Sequence, residues 1–393
     1  MNPHRSSKPA EPLHIALLGD ADSIHVQRTA RWLREHGHAA SIIAEDKGVH
    51  VDLGGIPLYT YPARGGTAWK LLRIAAHLRR IQPDIVQSDF VTTAGARIAA
   101  LGFHPHVTRV CGSDVLLHPQ YSRKARAAAR LTLRTADRIL VATDSLRPVI
   151  GELAGPHLPV TQLPRGIDLD RFSPEADGAV FRKRHDIPGD ALVVLSPRTV
   201  GPLYNQDILL EAWPRIRAES PSARLVLIRF RPDATYEAEC RRRIEQLGIA
   251  DSVHWVEPPA EHQLAEAYSA ADVMVSIPSS DAIANTVLEA MACECPVVVG
   301  DLPAMRDWVS EPDNGRIVPL RDGDAVASAV LSLLQLSAQD RRNLGLRNRE
   351  VVAERASLAT CFERLVALYR EESKAGGFRP LSNLARALRG KAP

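Results

Sequence analysis

The sequence predicts an α/β protein of two successive doubly wound domains, each built on a parallel sheet, and three observations carry that prediction. The 393 residues are too many for one ordinary core. Short strand-like apolar runs alternate with helical stretches of about ten to fifteen residues, the pattern of right-handed βαβ crossovers. That alternation halts once, where Pro164, Gly166, Pro174 and Pro188 punctuate the chain, and then restarts.

In the first domain LHIALLG (13–19) reads as a buried strand, followed by a helix through Val26, Ala30 and Leu33 that closes at Gly37. ASIIA (40–44) is the next strand. A helix around Trp69–Arg80, the strand DIVQSD (84–89), a helix from Thr92 to Leu101 and the strand HVTRVCG (106–112) follow. The second domain restarts with ALVVLSPR (191–198) and a helix from Asp207 to Ala218. RLVLIRF (224–230), a helix over 235–247, SVHWV (252–256), a helix over 261–270 and DVMVSIP (272–278) continue it. The helix Asn285–Cys293, the strand PVVVGD (296–301) and the short strand GRIVPL (315–320) complete the alternation. The expected organisation is a tail over 1–12, a domain over 13–170, a linker over 171–190, a domain over 191–356, a helix over 357–375 crossing back to the first domain, and a basic tail over 376–393.

Hydrophobic content of 45% and charged content of 24% are those of a globular protein and exclude disordered and fibrous classes. No run of 18 consecutive apolar residues occurs, and the N-terminus lacks a signal-peptide core, so the expectation is a soluble, cytoplasmic protein. Five scattered cysteines without paired spacing predict reduced thiols and no structural zinc, with Cys293 and Cys295 as core packing. The net charge of +3 conceals an asymmetry: residues 1–165 carry 21 Lys+Arg against 13 Asp+Glu, and residues 166–393 carry 28 against 33. A basic first half suggests an anionic counterpart, such as a membrane surface. Nucleic acid is not expected, because the basic residues are not interleaved with stacking aromatics.

Ligands in such sheets bind beyond the carboxyl ends of strands, and three stretches place polar chemistry there. In SIPSSDAIANTVLEAMACECPVVVGD (276–301), Asp281 and Glu289 lie eight apart across a helix start. Asn285 can cap that start, and the free amides of Asn285, Thr286 and Val287 suit a diphosphate. Glu289, one turn further in, can accept from two ribose hydroxyls, or it can be a solvated or paired carboxylate. In LSPRTVGPLYNQDILLEAW (195–213), Arg198 ends a strand and its fork suits two phosphate oxygens, or a carboxylate across a loop. In GDADSIHVQR (19–28) a single glycine, Gly19, makes no dinucleotide fingerprint, but the helix start near Ser23 and His25 can cover a phosphate. Asp114, just past a strand, can touch a sugar or an acceptor, or cap the next helix.

These stretches, with HVQRTARWLREHGH (25–38), LGFHPHVTRVCGSDV (101–115), LPRGIDLDRFSP (163–174), YNQDILLEAW (204–213) and above all LEAMACECPVVVGD (288–301), resemble the family-4 retaining glycosyltransferases of GT-B fold over about residues 13–372. The resemblance implies two Rossmann-like domains facing across a donor-binding cleft. It maps the family's Glu-x7-Glu motif onto Asp281, holding a hydroxyl of the transferred sugar, and Glu289, holding the ribose. Arg198 is the basic group on the donor diphosphate, while Tyr204, followed by Asn205, stands where many relatives have lysine, and Cys111 where many have histidine. Glu294 replaces a usual glycine. Contacts to the base are expected from the loop near Val256 and Glu257.

The resemblance further implies transfer with retention by internal return, with no metal ion and no cofactor beyond the nucleotide diphosphate sugar substrate. The acceptor is a sugar, a glycolipid or a small molecule. Two alternatives stay open: a catalytically degenerate relative serving as partner or scaffold, and a non-hydrolysing sugar-nucleotide 2-epimerase. The helix WKLLRIAAHLRR (69–80) is expected to put Leu71, Leu72, Ala75 and Leu78 on one face with Lys70, Arg73, Arg79 and Arg80 around it, and 122–138 adds six cations. That face either packs on the sheet with a basic rim or meets an anionic membrane, at whose inner surface the protein would be peripheral.

Overall fold

The computed structural model describes residues 11–48, 52–260, 263–282, 285–373 and 376–379, so most of the expected tails at 1–12 and 376–393 lies outside the described residues. The chain divides into two compact units, residues 1–165 with 362–393, and residues 166–361.

The first unit runs β1 (His14–Leu18), α1 (Ile24–Glu35), β2 (Ala39–Asp46), β3 (Leu58–Pro62), α2 (Thr67–Ile81) and β4 (Ile85–Asp89). A π-helical turn, Phe90–Ala94, leads into α3 (Gly95–Leu101), then β5 (Phe103–His104), β6 (His106–Arg109), α4 (Ser113–Leu116), α5 (His118–Tyr121) and α6 (Arg123–Thr135). β7 (Arg138–Val141), α7 (Arg147–Ala154) and β8 (Val160–Gln162) complete its N-terminal part. Seven strands pair in the order β3-β2-β1-β4-β6-β7-β8, all parallel. β1 is buried because Ile15, Ala16, Leu17 and Leu18 fill both faces of the sheet, as a covered parallel strand requires. From β3 through β4 and β6 to β7 the chain steps across the sheet in one direction, so right-handed crossovers put α2, α3 and α6 in one layer. β1 to β2 steps the other way and sends α1 to the opposite face. Gly95 is needed where α3 crosses α6: a Cβ there would lie 2.6 Å from Thr132 Cγ2.

The second unit runs α8 (Gly178–Arg184), β9 (Leu192–Ser196), α9 (Gln206–Glu219), β10 (Ala223–Ile228), α10 (Ala234–Gln246), β11 (Val253–Val256) and α11 (Leu264–Ala270). It continues with β12 (Val273–Ser276), α12 (Asn285–Ala292), β13 (Val297–Gly300), α13 (Pro303–Arg306), β14 (Arg316–Val318), α14 (Gly323–Leu334) and α15 (Ala338–Ala356). Its six strands are again all parallel, in the order β11-β10-β9-β12-β13-β14. α16 (Leu358–Glu372) belongs from Phe362 onward to the first unit, where Phe362 stacks on Trp32 of α1 at 4.8 Å. β15 (Gly377–Phe378) pairs antiparallel with β5.

Two expectations meet a different structure. The stretch 171–190, expected as a linker, carries α8, whose Phe181 is fully buried in the core of the second unit. Gly178 comes so close to α11 that a Cβ would lie 2.6 Å from the Ala270 nitrogen, which the density of turn residues in the sequence does not reveal. α2 is also rotated from its expected orientation. Ile74, Ala75, Leu78 and Ile81 form the buried stripe, and Leu72 points outward with 62% exposure.

Candidate functional site

In each sheet the strand order reverses beside the first strand, and the loops leaving that point open where ligands bind in doubly wound folds. In the second unit the reversal lies between β9 and β12. The loop after β9 carries Arg198, Tyr204 and Asn205, and the loop after β12 carries Asp281 and leads to α12.

The Arg198 guanidinium is held at two of its nitrogens. Nη2 donates to Asp281 Oδ2 at 2.7 Å, Nη1 donates to Thr286 Oγ1 at 2.9 Å, and the plane lies over the Tyr204 ring at 4.7 Å. Side-chain exposures of 11% for Arg198 and 14% for Asp281 leave the pair in reach of a ligand but largely screened from water. Of the two sequence alternatives for Arg198 the free protein thus adopts the carboxylate partner, and the same fork is where a phosphate would have to bind.

Asn285 is the first residue of α12, so the cap that was expected of it would fall on the preceding residue, which lies outside the described residues. Asn285, Thr286 and Val287 supply the first amides of the helix, at its positive dipole end. The Val287 side chain is buried, so only its backbone can serve a ligand. One turn on, Glu289 Oε2 accepts from the Tyr268 hydroxyl at 2.9 Å. Tyr268 is fully buried, and burial, then Glu289, raises its phenol well above the usual range, so it stays a donor. Tyr268 was not singled out from the sequence; its only signal is a lone aromatic hydroxyl in the short helix LAEAYSA.

One expected donor contact is corrected. Asn205 is fully buried and sits at φ 53° in the left-handed region that asparagine tolerates, with its amide turned inward. Nδ2 donates to Ile277 O at 2.8 Å and Ser279 Oγ at 2.9 Å, and Arg321 Nη1 donates to Oδ1 at 3.1 Å. Asn205 therefore ties the loop after β9 to the loop after β12 rather than touching the donor. Val256 is 2% exposed, and its carbonyl accepts the Arg229 amide at 2.9 Å, while Glu257 pairs with the Arg229 guanidinium.

In the first unit the reversal lies between β1 and β4. Gly19 follows β1 directly, where a Cβ would press on Val26 Cγ2 at 3.1 Å. Ser23 is the N-cap of α1 without a side-chain capping bond, and His25 lies in its first turn. Burial, then the charges of Arg165, Arg28 and Arg109, push the His25 imidazole down to about 2, so it is neutral at ordinary pH. Arg165 Nη2 donates to Asp89 Oδ2 at 3.1 Å and to Cys111 Sγ at 3.3 Å. Burial opposes the Arg165 charge, but Asp89 and Cys111 hold its pKa above the usual value. Burial pushes the Cys111 thiol up to about 12, so it is no thiolate nucleophile. Asp89 and Arg165 were not selected from the sequence, although Asp89 ends β4 and Arg165 lies in the stretch LPRGIDLDRFSP.

Asp114 is corrected as well. Its carboxylate is completely buried, with Oδ2 accepting from Val91 N at 2.8 Å and Oδ1 from Cys111 N at 3.0 Å. Burial pushes it up to about 6 against the lowering by those amides. It braces the π-helical turn against the loop after β6, within α4 and beneath the surface, and is not placed to touch a sugar. Among the described residues no group of three or more His, Cys, Asp or Glu side chains is arranged to hold a metal ion.

Comparison with known proteins bears on both units. The family model "Glycosyl transferases group 1" matches residues 178–351, and "Glycosyl transferase 4-like" matches 14–143. The D-inositol 3-phosphate glycosyltransferase of Geodermatophilus obscurus is 35% identical over 222 residues, 53% of this chain and 49% of that one. The GDP-mannose-dependent alpha-(1-6)-phosphatidylinositol monomannoside mannosyltransferase of Mycolicibacterium smegmatis is 30% identical over 223 residues, 53% of this chain and 56% of that one. The chain thus spans about half the length of these curated relatives. Among solved structures, Anabaena HepE in complex with UDP and glucose superposes with a TM-score of 0.78 at 15% identity, covering 91% of this chain and all of that one. The sucrose-phosphate synthase of Thermosynechococcus elongatus gives 0.78 at 20% identity over 92% and 99%. At such identities the likeness concerns the fold, which is GT-B.

Proposed function

Because the chain belongs to the group 1 glycosyltransferases of GT-B fold, we propose that it transfers a sugar from a nucleotide diphosphate donor to an acceptor hydroxyl, with retention and without a metal ion. The observation that carries this proposal is the meeting of Arg198, Asp281 and Thr286 at the first turn of α12, with Glu289 one turn further along the same helix, at the reversal of the second sheet.

In this proposal Arg198 and the amides of Asn285, Thr286 and Val287 take the diphosphate and stabilise the charge that grows on it as the bond to the anomeric carbon breaks. Loss of one such donor costs about 3–4 kcal/mol of barrier. Glu289 receives the ribose hydroxyls, oriented by Tyr268, and Asp281 receives a hydroxyl of the transferred sugar. The acceptor oxygen bonds to the anomeric carbon on the face the diphosphate leaves, and its proton passes to the departing phosphate oxygen, so no protein nucleophile takes part. Relatives named for inositol phosphate and phosphatidylinositol mannoside acceptors favour a polyol or glycolipid acceptor in glycolipid, polysaccharide or natural-product biosynthesis.

A panel of UDP- and GDP-sugars, read first by thermal shift, identifies the donor through the stabilisation that a bound ligand confers. Transfer to inositol phosphate and to phosphatidylinositol acceptors is then followed with and without EDTA. The expected product keeps the donor's anomeric configuration by proton coupling and forms equally after chelation. An inverted product refutes internal return, and loss of activity restored by a divalent cation refutes metal independence.

A further inference from the structure

The layer made by α2, α3 and α6 in the first unit carries a charge imbalance that the sheet does not explain. Between Arg64 and Ala136 there are twelve Lys and Arg and only three acids, Asp84, Asp89 and Asp114. None of those acids is exposed, and two are buried. α2, α3, α5 and α6 contain no carboxylate at all.

Among the exposed residues of α2, Trp69, Leu72, Arg73, Ala76 and Arg80 form one stripe at helical spacing, with Arg79 exposed beside it. Trp69 is 53% and Leu72 62% exposed, although Ile74, Ala75, Leu78 and Ile81 already satisfy the helix's packing on the sheet. α6 repeats the design. It buries Ala129, Thr132 and Leu133, and it turns Arg123, Lys124, Arg126 and Arg130 to the exterior. Tyr121, the last residue of α5 and two before α6, is 83% exposed. α3 packs against both helices, so the two stripes belong to one layer. Among the described residues no carboxylate pairs with Arg64, Arg73, Arg123, Lys124, Arg126 or Arg130.

We propose that the outer face of α2, extended by α6, docks on an anionic lipid surface, with Trp69 and Leu72 entering the headgroup region and the unpaired cations facing lipid phosphates. Charge complementarity selects an anionic partner, and the protruding apolar and aromatic side chains select lipid over nucleic acid. Trp and Tyr favour the interface between water and hydrocarbon, and cations beside them meet the negative surface potential of the leaflet. The residues of this surface all belong to the first unit, whereas Arg198, Asp281 and the start of α12, assigned above to the donor, belong to the second.

The test is co-sedimentation of the full chain with vesicles of phosphatidylcholine alone or with 30 mol% phosphatidylglycerol as an illustrative choice, roughly matching strongly anionic membranes. Binding is expected only with the anionic lipid, and it should weaken as salt rises from about 0.05 to 0.5 M. Arg73→Gln and Arg126→Gln should each weaken partitioning about fivefold. Trp69→Ser with Leu72→Ser should weaken it at least about tenfold without lowering the melting temperature, since neither side chain packs in the core. Trp69→Phe should abolish the blue shift of tryptophan emission that accompanies binding. Equal sedimentation with neutral and anionic vesicles, unchanged binding by the Ser and Gln variants, or binding to single-stranded DNA in place of vesicles would each overturn the proposal. Donor-induced thermal shifts in the same variants separate it from the transfer reaction: they should match the parent even where vesicle binding is lost.

Discussion

Asp281→Asn is the most informative single change, because the free protein places that carboxylate on the nitrogen fork assigned to the donor diphosphate. Asp281 Oδ2 lies 2.7 Å from Arg198 Nη2, and asparagine at the same position can still accept that hydrogen bond through its amide oxygen. The substitution therefore keeps the guanidinium in place and removes only the negative charge. A phosphate on the same guanidinium would stand about 6 Å from the carboxylate. At an effective dielectric of about 20 the repulsion between unit charges at that distance is about 3 kcal/mol, an upper bound. Ions and water at a site where the side chains retain 11% and 14% exposure reduce it, leaving about 1–1.5 kcal/mol. Free UDP or GDP should thus bind Asp281→Asn about tenfold more tightly by calorimetry. Turnover should move the opposite way. Loss of a charge-assisted hydrogen bond to a sugar hydroxyl is worth about 1.5–3 kcal/mol, roughly ten- to hundredfold in kcat. Opposite signs in the two measurements are the signature of a carboxylate that serves the sugar while competing with the phosphate. If nucleotide affinity and turnover fall together, Asp281 acts only as a prop for Arg198, and the assignment to the sugar is wrong.

Arg198→Ala and Glu289→Ala should each remove most transfer, about a hundredfold or more at saturating donor, with melting temperatures near the parent value; near-normal turnover in either would refute the site. Tyr268→Phe should weaken donor affinity several-fold and leave kcat nearly unchanged, because it frees Glu289 from the bond that orients it, worth about 1 kcal/mol; an equal fall in kcat would point to a role in chemistry instead. Phe181→Ala should destabilise the second unit by about 3–5 kcal/mol in urea unfolding, whereas a true linker residue would cost almost nothing. His25 gives a pH test: its folded pKa is depressed to about 2, while an unfolded imidazole takes a proton near about 6.5. The stability it supports is therefore present above pH 6.5 and is lost as pH falls, by about 2 kcal/mol at pH 5, and His25→Gln should flatten that part of the stability curve.

The two-domain alternation and the helix that opens at Asn285 were legible because both depend on local pattern. Strands such as LHIALLG and PVVVGD are apolar on both faces, and a polar helix start after DVMVSIP can only be a strand end leading into a helix. Pairings between distant segments were not legible. Asp281 meets Arg198 across 83 positions, and Tyr268 meets Glu289 from another helix, neither of which has a local signal. Asn205 and Asp114 sit at helix starts that follow β9 and β6, where exposed ligand-binding groups are expected, yet their side chains turn inward. A short polar side chain at a strand end can serve either the ligand or the neighbouring loop, and only the fold decides. α2 shows the same limit in another form. Its apolar residues cover more than one face, so two stripes one residue apart fit the pattern equally well, and packing selects the one with Ile74 and Ile81.

Under the proposed transfer, the inward turn of Asn205 has a consequence for catalysis that a direct contact with the donor would not have. Arg198 and Asp281 stand on separate loops, after β9 and β12, and a flexible pair of loops would have to order both at the moment of reaction. Asn205 bridges those loops through Ile277 O and Ser279 Oγ, and a backbone bond from Ser279 N to Leu203 O at 2.8 Å reinforces the bridge. With Thr286 and Tyr204 also against the guanidinium, Arg198 has little freedom left before any ligand arrives. Stabilisation of a developing charge by fixed donors is effective because reorganisation is already complete. The electrostatic strength of this site therefore rests on a residue that need not touch the substrate, and loosening the bridge should lower turnover while every donor-contacting side chain remains in the sequence.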